Sequence, residues 1–148
     1  MMERIIVING PNLNLLGERD PFRYGDGTLD EINAMMTQGA DRLGVELSFH
    51  QSNHEGDLID ILHDERHRAA GYVINPGALT HYSYALRDAI EAVSPPVAEV
   101  HISDIDFREE WRRVSVIRDV VLFSISGKGP RGYVEALEKL VEHVRNNA

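Results

Sequence analysis

Residues 5–11, Ile5-Ile6-Val7-Ile8-Asn9-Gly10-Pro11, decide the fold of this chain. A short apolar run that stops at a turn signal is typical of a buried strand in a parallel sheet. The same pattern recurs at residues 72–77, where Tyr72-Val73-Ile74 stops at Asn75-Pro76-Gly77. These two runs predict strands of one parallel sheet, with the turns at its carboxyl edge.

Strand and helix patterns alternate outward from these runs. Further strands are predicted at 45–49, 96–100 and 120–125, and apolar residues at helical spacing predict the helices between them. Thr28 and Thr80 are the expected caps of the first and third helices, and residues 107–113 are expected to form a short charged helix. The alternation predicts an α/β fold, a flavodoxin-like doubly wound sheet of five parallel strands, in a single catalytic domain over residues 1–148.

The composition of the chain limits the kinds of partner and chemistry that can be expected of it. The chain has 148 residues, a formal net charge of −9 and no cysteine. Nucleic acid and anionic membranes repel an acidic chain at long range, so neither is an expected partner. Without cysteine there is no disulfide, thiol nucleophile or cysteine-ligated metal. No signal peptide or apolar run of transmembrane length is evident, so the expected location is cytoplasmic.

Polar residues gather just past the strands, where ligands bind in open parallel sheets. The long segment after the first strand contains Asn12, Arg19, Arg23 and Tyr24, and residues 18–27 are predicted to form a mobile loop over the site. Later strands are followed by Asn75, Gly77, His81, His101, Ile102, Ser103, Arg108, Arg112, Ser126 and Gly127. This set contains acid–base groups and anion binders but no plausible metal cage.

Tyr24 and His101 are the candidates for proton transfer. Arginines in the same loop favour an ionised Tyr24, and a phenolate can remove a proton next to a ketone. Glu99 and His101 share one face of a strand, so the carboxylate can orient the imidazole and favour its acid form. A plain surface tyrosine and a structurally paired histidine remain open as alternatives. The scarcity of lysine, only Lys128 and Lys139, argues against an imine mechanism and for proton transfer without a cofactor.

Two motif-like patterns are set aside. Residues 127–132 match the glycine spacing of a dinucleotide-binding turn, but no strand follows them to carry the acidic residue that would bind a ribose. His63 and His67 have the spacing of a zinc-binding helix, but Asp64 stands where that motif requires glutamate. No metal site is expected.

Five blocks of the chain resemble the type II dehydroquinase family in order and spacing over nearly its whole length. They are Ile8 to Gly17 with Arg19, Pro21, Tyr24 and Gly25; Gln51-Ser52-Asn53 with Glu55-Gly56; Asn75 to Ala78 with Thr80-His81 and Ala85 to Ala89; Glu99 to Ser103 with Arg108 to Glu110 and Arg112; and Gly132-Tyr133 with Ala136-Leu137. Five blocks in register are far more specific than any single motif.

The resemblance implies a cofactor-free hydro-lyase that dehydrates 3-dehydroquinate to 3-dehydroshikimate by trans elimination through an enolate. It implies Tyr24 as base, Arg19 as the group that keeps Tyr24 ionised, Asn12 as an enolate stabiliser acting through water, and His101 as acid with Glu99 behind it. The implied substrate-binding residues are Asn75, His81, Asp88, Ile102, Ser103 and Arg112. Asp88 would serve a neighbouring subunit in a homododecamer built of trimers.

The chain departs from the family pattern at Tyr82, Asp104, Val114, Val116 and Lys128. Two alternatives stay open: the flavodoxin-like fold is compatible with a regulatory or binding module, and Tyr82 and Asp104 are compatible with a relative that acts on another cyclic hydroxy-ketone acid. The resemblance is compatible with both aromatic amino acid biosynthesis and quinate catabolism.

Overall fold

The five strands form one parallel sheet in the computed structural model, which describes residues 2–148. They are β1 (Arg4–Asn9), β2 (Glu46–Gln51), β3 (Gly71–Asn75), β4 (Val97–His101) and β5 (Phe123–Ser126). Their order across the sheet is β2-β1-β3-β4-β5, and every neighbouring pair is parallel. This is the flavodoxin-like order, so the predicted fold class is confirmed.

Helices cover both faces of the sheet. They are α1 (Pro21–Tyr24), α2 (Leu29–Leu43), α3 (Glu55–Glu65), α4 (Tyr84–Ala92) and α5 (Arg131–Asn146). Because side chains alternate along a strand, Ile5 and Val7 pack under α2 and α5, while Ile6 and Ile8 pack under α3 and α4. All four side chains are fully buried, which stabilises the fold by about 1.5–3 kcal/mol each. Among residues 2–148, no helix is long and apolar enough to cross a membrane.

The connection from β4 to β5 differs from the prediction. Residues 107–113 do not form one helix; two short 3-10 turns, Ile105–Phe107 and Glu110–Arg112, take its place. Phe107 and Trp111 are exposed there, so a longer helix would have no apolar face to bury against the sheet. The strand predicted from residue 120 begins only at Phe123, because Val120 and Val121 close a turn on Ile117.

One of the two predicted helix caps is confirmed and the other is wrong. Thr28 accepts a hydrogen bond from the Glu31 N–H at 3.2 Å and caps α2, as predicted. Thr80 does not cap α4. Ser83 does so, by accepting from the Leu86 N–H at 3.0 Å, while Thr80 lies one 3-10 turn earlier, in Gly77–His81.

Glycine allows the turns after β1 and β3 to touch. A β-carbon at Gly10 would lie 2.6 Å from the carbonyl oxygen of Pro76, a distance that no side chain tolerates. Gly77 has a φ of 61°, a conformation that favours glycine. The Gly10 N–H also donates to the Asn75 carbonyl at 2.8 Å. This contact brings the two turns together at the carboxyl edge of the sheet.

Candidate active site

A pocket opens at the carboxyl ends of β1, β3 and β4, where the sequence predicts the site. Its lining includes most of the predicted site residues, namely Asn12, Arg19, Tyr24, Asn75, His81, His101, Ile102, Ser103 and Arg112, together with Arg108. Three segments distant in sequence meet here because parallel strands end at the same edge of the sheet. The loop before α2, the turn after β3 and the β4–β5 connection supply the walls.

The end of β2 holds the loop that carries Asn12. Asn12 has a φ of 71°, a left-handed conformation that asparagine tolerates better than most residues. Its N–H donates to the side-chain oxygen of Asn53 at 2.9 Å. The amide of Gln51 donates to the same oxygen at 3.2 Å and to the Gly10 carbonyl at 3.2 Å. These bonds fix the backbone on which Asn12 faces the pocket.

Two guanidinium groups surround Tyr24. The carbon of the Arg19 guanidinium lies 3.9 Å from the centroid of the Tyr24 ring, so Arg19 stacks on the ring face. Arg108 instead donates from Nη1 to the Tyr24 hydroxyl oxygen at 2.6 Å. A short bond from a cation to a phenol oxygen strengthens when that oxygen carries negative charge. The direct contact with the Tyr24 hydroxyl oxygen therefore belongs to Arg108, not to Arg19.

Arg108 is nearly buried and incompletely satisfied. Its side chain is only 9% exposed, and Nη1 also donates to the Ser103 hydroxyl at 3.3 Å. Its Nε lies 3.8 Å from a Glu109 carboxylate oxygen and has no hydrogen-bond partner within residues 2–148. Arginine is seldom buried unless it is paired, and here its main polar contacts are Tyr24 and Ser103.

His101 and Glu99 form a buried pair at the end of β4. His101 Nε2 lies 2.6 Å from Glu99 Oε2, so the Nε2 proton points to the carboxylate. His101 lines the pocket while Glu99, fully buried behind it, does not. Burial acts to raise the pKa of Glu99, but the hydrogen bond and charge of His101, with the hydroxyls of Thr80 and Ser115, bring it below its ordinary value. Glu99 is thus a carboxylate that fixes the histidine tautomer and leaves Nδ1 for the pocket.

His81 stands beside this pair in the opposite tautomer. Its Nδ1 donates to the Val114 carbonyl at 2.7 Å, which leaves Nε2 as an acceptor. Burial lowers the pKa of His81 below its ordinary value, against the opposing effect of that hydrogen bond, which favours the neutral ring. The His81 ring stacks with His101 at 6.5 Å between centroids and meets the Trp111 ring edge-on at 5.4 Å.

Arg112 completes the cationic wall of the pocket. Its guanidinium carbon lies 4.1 Å from the Trp111 ring centroid, and its Nε donates to Glu109 at 2.8 Å. The sequence predicted Arg108 and Arg112 on one helix. They do not share a helix, but both line the pocket. The turns of the β4–β5 connection bring them together instead.

The backbone after His101 is suited to an anion. The carbonyls of Ile102 and Ser103 accept from the N–H groups of Gly129 and Gly127, each at 3.2 Å, which fixes the segment. Within the described residues, neither the Ile102 nor the Ser103 amide donates a hydrogen bond. Two neighbouring free N–H groups at the pocket wall are a common binding arrangement for a carboxylate.

A buried hydrogen-bonded triad lies beneath the pocket, and Asn75 is its member that lines the pocket. The Tyr133 hydroxyl, from α5, donates to the Asn9 side-chain oxygen at 2.6 Å and accepts from the Asn75 amide at 2.9 Å. Asn75 Oδ1 also accepts from the Gly77 N–H at 3.1 Å. Burial raises the pKa of Tyr133 above its ordinary value, which keeps the hydroxyl a donor. The triad ties the ends of β1 and β3 to the last helix.

Some residues predicted at this edge lie outside the pocket. Arg23 pairs with Asp20 at 3.7 Å on the loop surface, and Ser126 and Gly127 do not reach the lining. Asp88 is exposed on α4, also away from the pocket of its own chain.

The five departures from the family pattern also lie outside the lining. Tyr82 and Val114 are exposed, Asp104 caps the turn at Ile105–Phe107, Val116 packs against the core, and Lys128 pairs with Glu135. The described residues therefore give no support for a changed substrate at these positions.

The fold and the pocket together define an α/β protein with histidine, tyrosine and arginine side chains in one pocket at the carboxyl edge of a parallel sheet. The chain belongs to the class II dehydroquinase family, whose model matches residues 3–141. The enzyme class predicted from the resemblance, a type II dehydroquinase and hence a lyase, is confirmed.

Individual relatives agree over nearly the whole chain. A 3-dehydroquinate dehydratase of Halothermothrix orenii is 50% identical over 147 residues, 99% of each chain. The 3-dehydroquinate dehydratase 1 of Agrobacterium fabrum is 56% identical over 141 residues, 95% of this chain and 97% of the relative. The crystal structure of a type II dehydroquinase from Butyrivibrio crossotus superposes with a TM-score of 0.92 at 43% identity and covers 94% of this chain and 97% of the other.

Proposed function

We propose that this enzyme converts 3-dehydroquinate to 3-dehydroshikimate, a step of the shikimate pathway, by trans elimination of water through an enolate. The observation that carries the proposal is the Tyr24 hydroxyl, held 2.6 Å from Arg108 Nη1 in the same pocket as the Glu99-backed His101. Loss of water beta to a ketone needs a base, an acid and enolate stabilisation, and this pocket has a candidate for each.

Tyr24 is the proposed base. As the phenolate it removes the proton next to the ketone, and the electron pair moves onto the carbonyl oxygen to give the enolate. Arg108 donates to the oxygen and Arg19 stacks on the ring, so two positive charges lie close to the proposed phenolate. Asn12 is proposed to stabilise the enolate through a water molecule.

His101 is the proposed acid. With Nε2 bonded to Glu99, its Nδ1 delivers a proton to the departing hydroxyl, the carbon–oxygen bond breaks, and water leaves as the enolate collapses to the conjugated ketone. The Glu99 carboxylate stabilises the imidazolium before transfer and orients the ring.

The remaining residues are proposed to bind the substrate. The free amides of Ile102 and Ser103, with Arg112, bind its carboxylate, and the accepting Nε2 of His81 receives a ring hydroxyl. Asn75 has one amide hydrogen left for the substrate, because its other polar contacts are made with Tyr133 and Gly77.

The loop, the assembly and the compartment complete the proposal. Residues 18–27 form a mobile loop that brings Arg19 and Tyr24 onto the bound substrate. A homododecamer of trimers would place the exposed Asp88 of one subunit at a neighbour's pocket. The compartment is the cytoplasm, with which the cysteine-free composition is compatible.

The direct test is the ultraviolet absorbance of 3-dehydroquinate mixed with chelator-treated protein, because the conjugated product absorbs and the substrate does not. Rapid appearance of product, undiminished by borohydride treatment, is the expected result for proton transfer without metal or imine. No product would contradict the proposed reaction, and loss of activity on borohydride treatment would contradict the imine-free mechanism.

Replacing Arg19 with alanine is expected to lower kcat/KM by about tenfold, the size of a partly buried cation–π contact. The proposed phenolate loses one of the two positive charges that lie close to it. The measurement is kcat/KM at fixed pH. Arg23→Ala is the matched control, since Arg23 lies in the same loop but outside the pocket. Equal kcat/KM for Arg19→Ala and Arg23→Ala would mean that Arg19 does not stabilise the phenolate.

Trp111, the single tryptophan of the chain, is expected to report substrate binding. Its ring contacts both His81 and Arg112, so a ligand that engages those residues changes its surroundings. We expect a saturable change in tryptophan emission when 3-dehydroquinate is added to the Tyr24→Phe variant, in which turnover does not interfere. Trp111→Phe is the control for the origin of the signal. Unchanged emission at concentrations where calorimetry detects binding would place the substrate away from this wall.

A further inference from the structure

Two buried hydroxyl groups converge on the carboxylate behind His101. The Thr80 hydroxyl donates a short hydrogen bond to Glu99 Oε2, and the Ser115 hydroxyl lies 3.0 Å from each carboxylate oxygen of Glu99. The two hydroxyl oxygens are 3.1 Å apart. Together with His101, three side chains thus occupy the oxygens of a carboxylate that is fully buried.

The two hydroxyls come from separate elements that are tied to each other. Thr80 lies in the 3-10 turn after β3, and Ser115 lies in the β4–β5 connection. The Val116 N–H donates to the Thr80 carbonyl at 2.8 Å, so a backbone bond holds the two segments in register beside Glu99. Neither residue lines the pocket, and the hydroxyls of both are directed to Glu99 instead.

We propose that Thr80 and Ser115 are positioning residues, which lock the Glu99 carboxylate and through it hold the His101 ring in the orientation that protonates the departing hydroxyl. The inference rests on the proposed role of His101 as acid. A carboxylate with one partner can rotate about its side-chain bonds, and the histidine that follows it would then sample several orientations. Hydroxyl donors at both oxygens remove that freedom, and they also supply the hydrogen bonds that a buried anion requires.

Thr80 and Ser115 differ in whether a water molecule can take the place of a deleted hydroxyl. Thr80 is fully buried, so a valine there removes the hydroxyl at nearly constant volume and leaves no route for water. Ser115 is half-buried, and a water molecule can substitute in part for its hydroxyl. The loss at Thr80 is therefore expected to be the larger one.

The experiment compares kcat and KM of Thr80→Val with Thr80→Ser, and of Ser115→Ala with Ser115→Thr. Thr80→Val is expected to lower kcat by about 100-fold and Ser115→Ala by about tenfold, because small misplacement of a catalytic group costs up to this much. KM stays close to its original value, since the substrate contacts are untouched. The hydroxyl-retaining partner of each pair restores most of the lost turnover, which a general packing role would not require.

The thermal midpoint of each variant and the activity of His101→Ala separate the possible outcomes. A raised KM at unchanged kcat, or normal turnover in both folded hydroxyl-deleted variants while His101→Ala is inactive, would overturn the positioning role alone. Normal turnover in His101→Ala would overturn the proposed acid itself. If Thr80→Val does not fold, the comparison of Ser115→Ala with Ser115→Thr decides, since Ser115 lies nearer the surface.

Discussion

Tyr24→Phe lowers kcat for 3-dehydroquinate by about 10³- to 10⁴-fold and leaves substrate affinity largely intact. The substitution removes one oxygen atom, the proposed base, and general-base catalysis accounts for rate factors of this size. The phenylalanine ring keeps its place under the Arg19 guanidinium, so the loop retains its packing. Single-turnover absorbance gives the rate of the chemical step, and calorimetry gives the affinity.

Tyr84→Phe is the matched control for this variant. Tyr84 is 67% exposed on α4 and does not line the pocket, so loss of its hydroxyl should change neither constant. Turnover of Tyr24→Phe within a few-fold of the control would show that another group takes the proton. Weakened binding with unchanged chemistry would make Tyr24 a substrate-binding residue instead.

Arg108→Met is expected to have the second largest effect, a loss in kcat of about 10²- to 10³-fold, as for removal of one donor to a developing or resident oxyanion. Arg108 Nη1 is the group in direct contact with the Tyr24 oxygen, and its near burial makes that charge count for more than an exposed one would. Methionine preserves the length of the side chain but neither its charge nor its donors. The kcat of this variant should fall well below that of Arg19→Ala.

Two further variants separate charge from geometry at this position. Arg108→Lys restores a positive charge without the planar fork, and we expect turnover between that of the original enzyme and that of Arg108→Met. Arg118→Met removes an exposed arginine outside the pocket and corrects for the change in net charge. Equal activities for Arg108→Met and Arg118→Met would contradict the proposed role of Arg108 in stabilising the Tyr24 phenolate.

The sequence alone was sufficient to predict the parallel sheet and the edge of the sheet at which the pocket lies. Runs such as residues 5–8 and 72–74 are too short and too apolar to be anything but buried strands between helices, and parallel strands bring their ends to one edge. The prediction of a helix at residues 107–113 was wrong. Helical spacing of residues does not show whether the sheet offers a surface for that helix to pack against.

Local sequence patterns did not predict the side-chain contacts between segments that are distant in the chain. The sequence pairs Tyr24 with Arg19, its near neighbour, whereas the hydrogen bond to its hydroxyl comes from Arg108, 84 positions away. Thr80 was expected to cap a helix because it precedes one, but its hydroxyl turns inward to Glu99. Ser115 carried no local signal. Such roles become visible only when the packing of the β4–β5 connection is known.

The triad beneath the pocket has a consequence for how the enzyme is made. The hydrogen bond from Tyr133 to Asn9 joins residues 124 positions apart, nearly the whole chain. The first strand leaves the ribosome early. The Tyr133 hydroxyl can bridge Asn9 of β1 and Asn75 of β3 only after α5 has emerged as well. A nascent chain can therefore assemble most of its sheet before the triad can form, so we expect the pocket to be completed only late in synthesis.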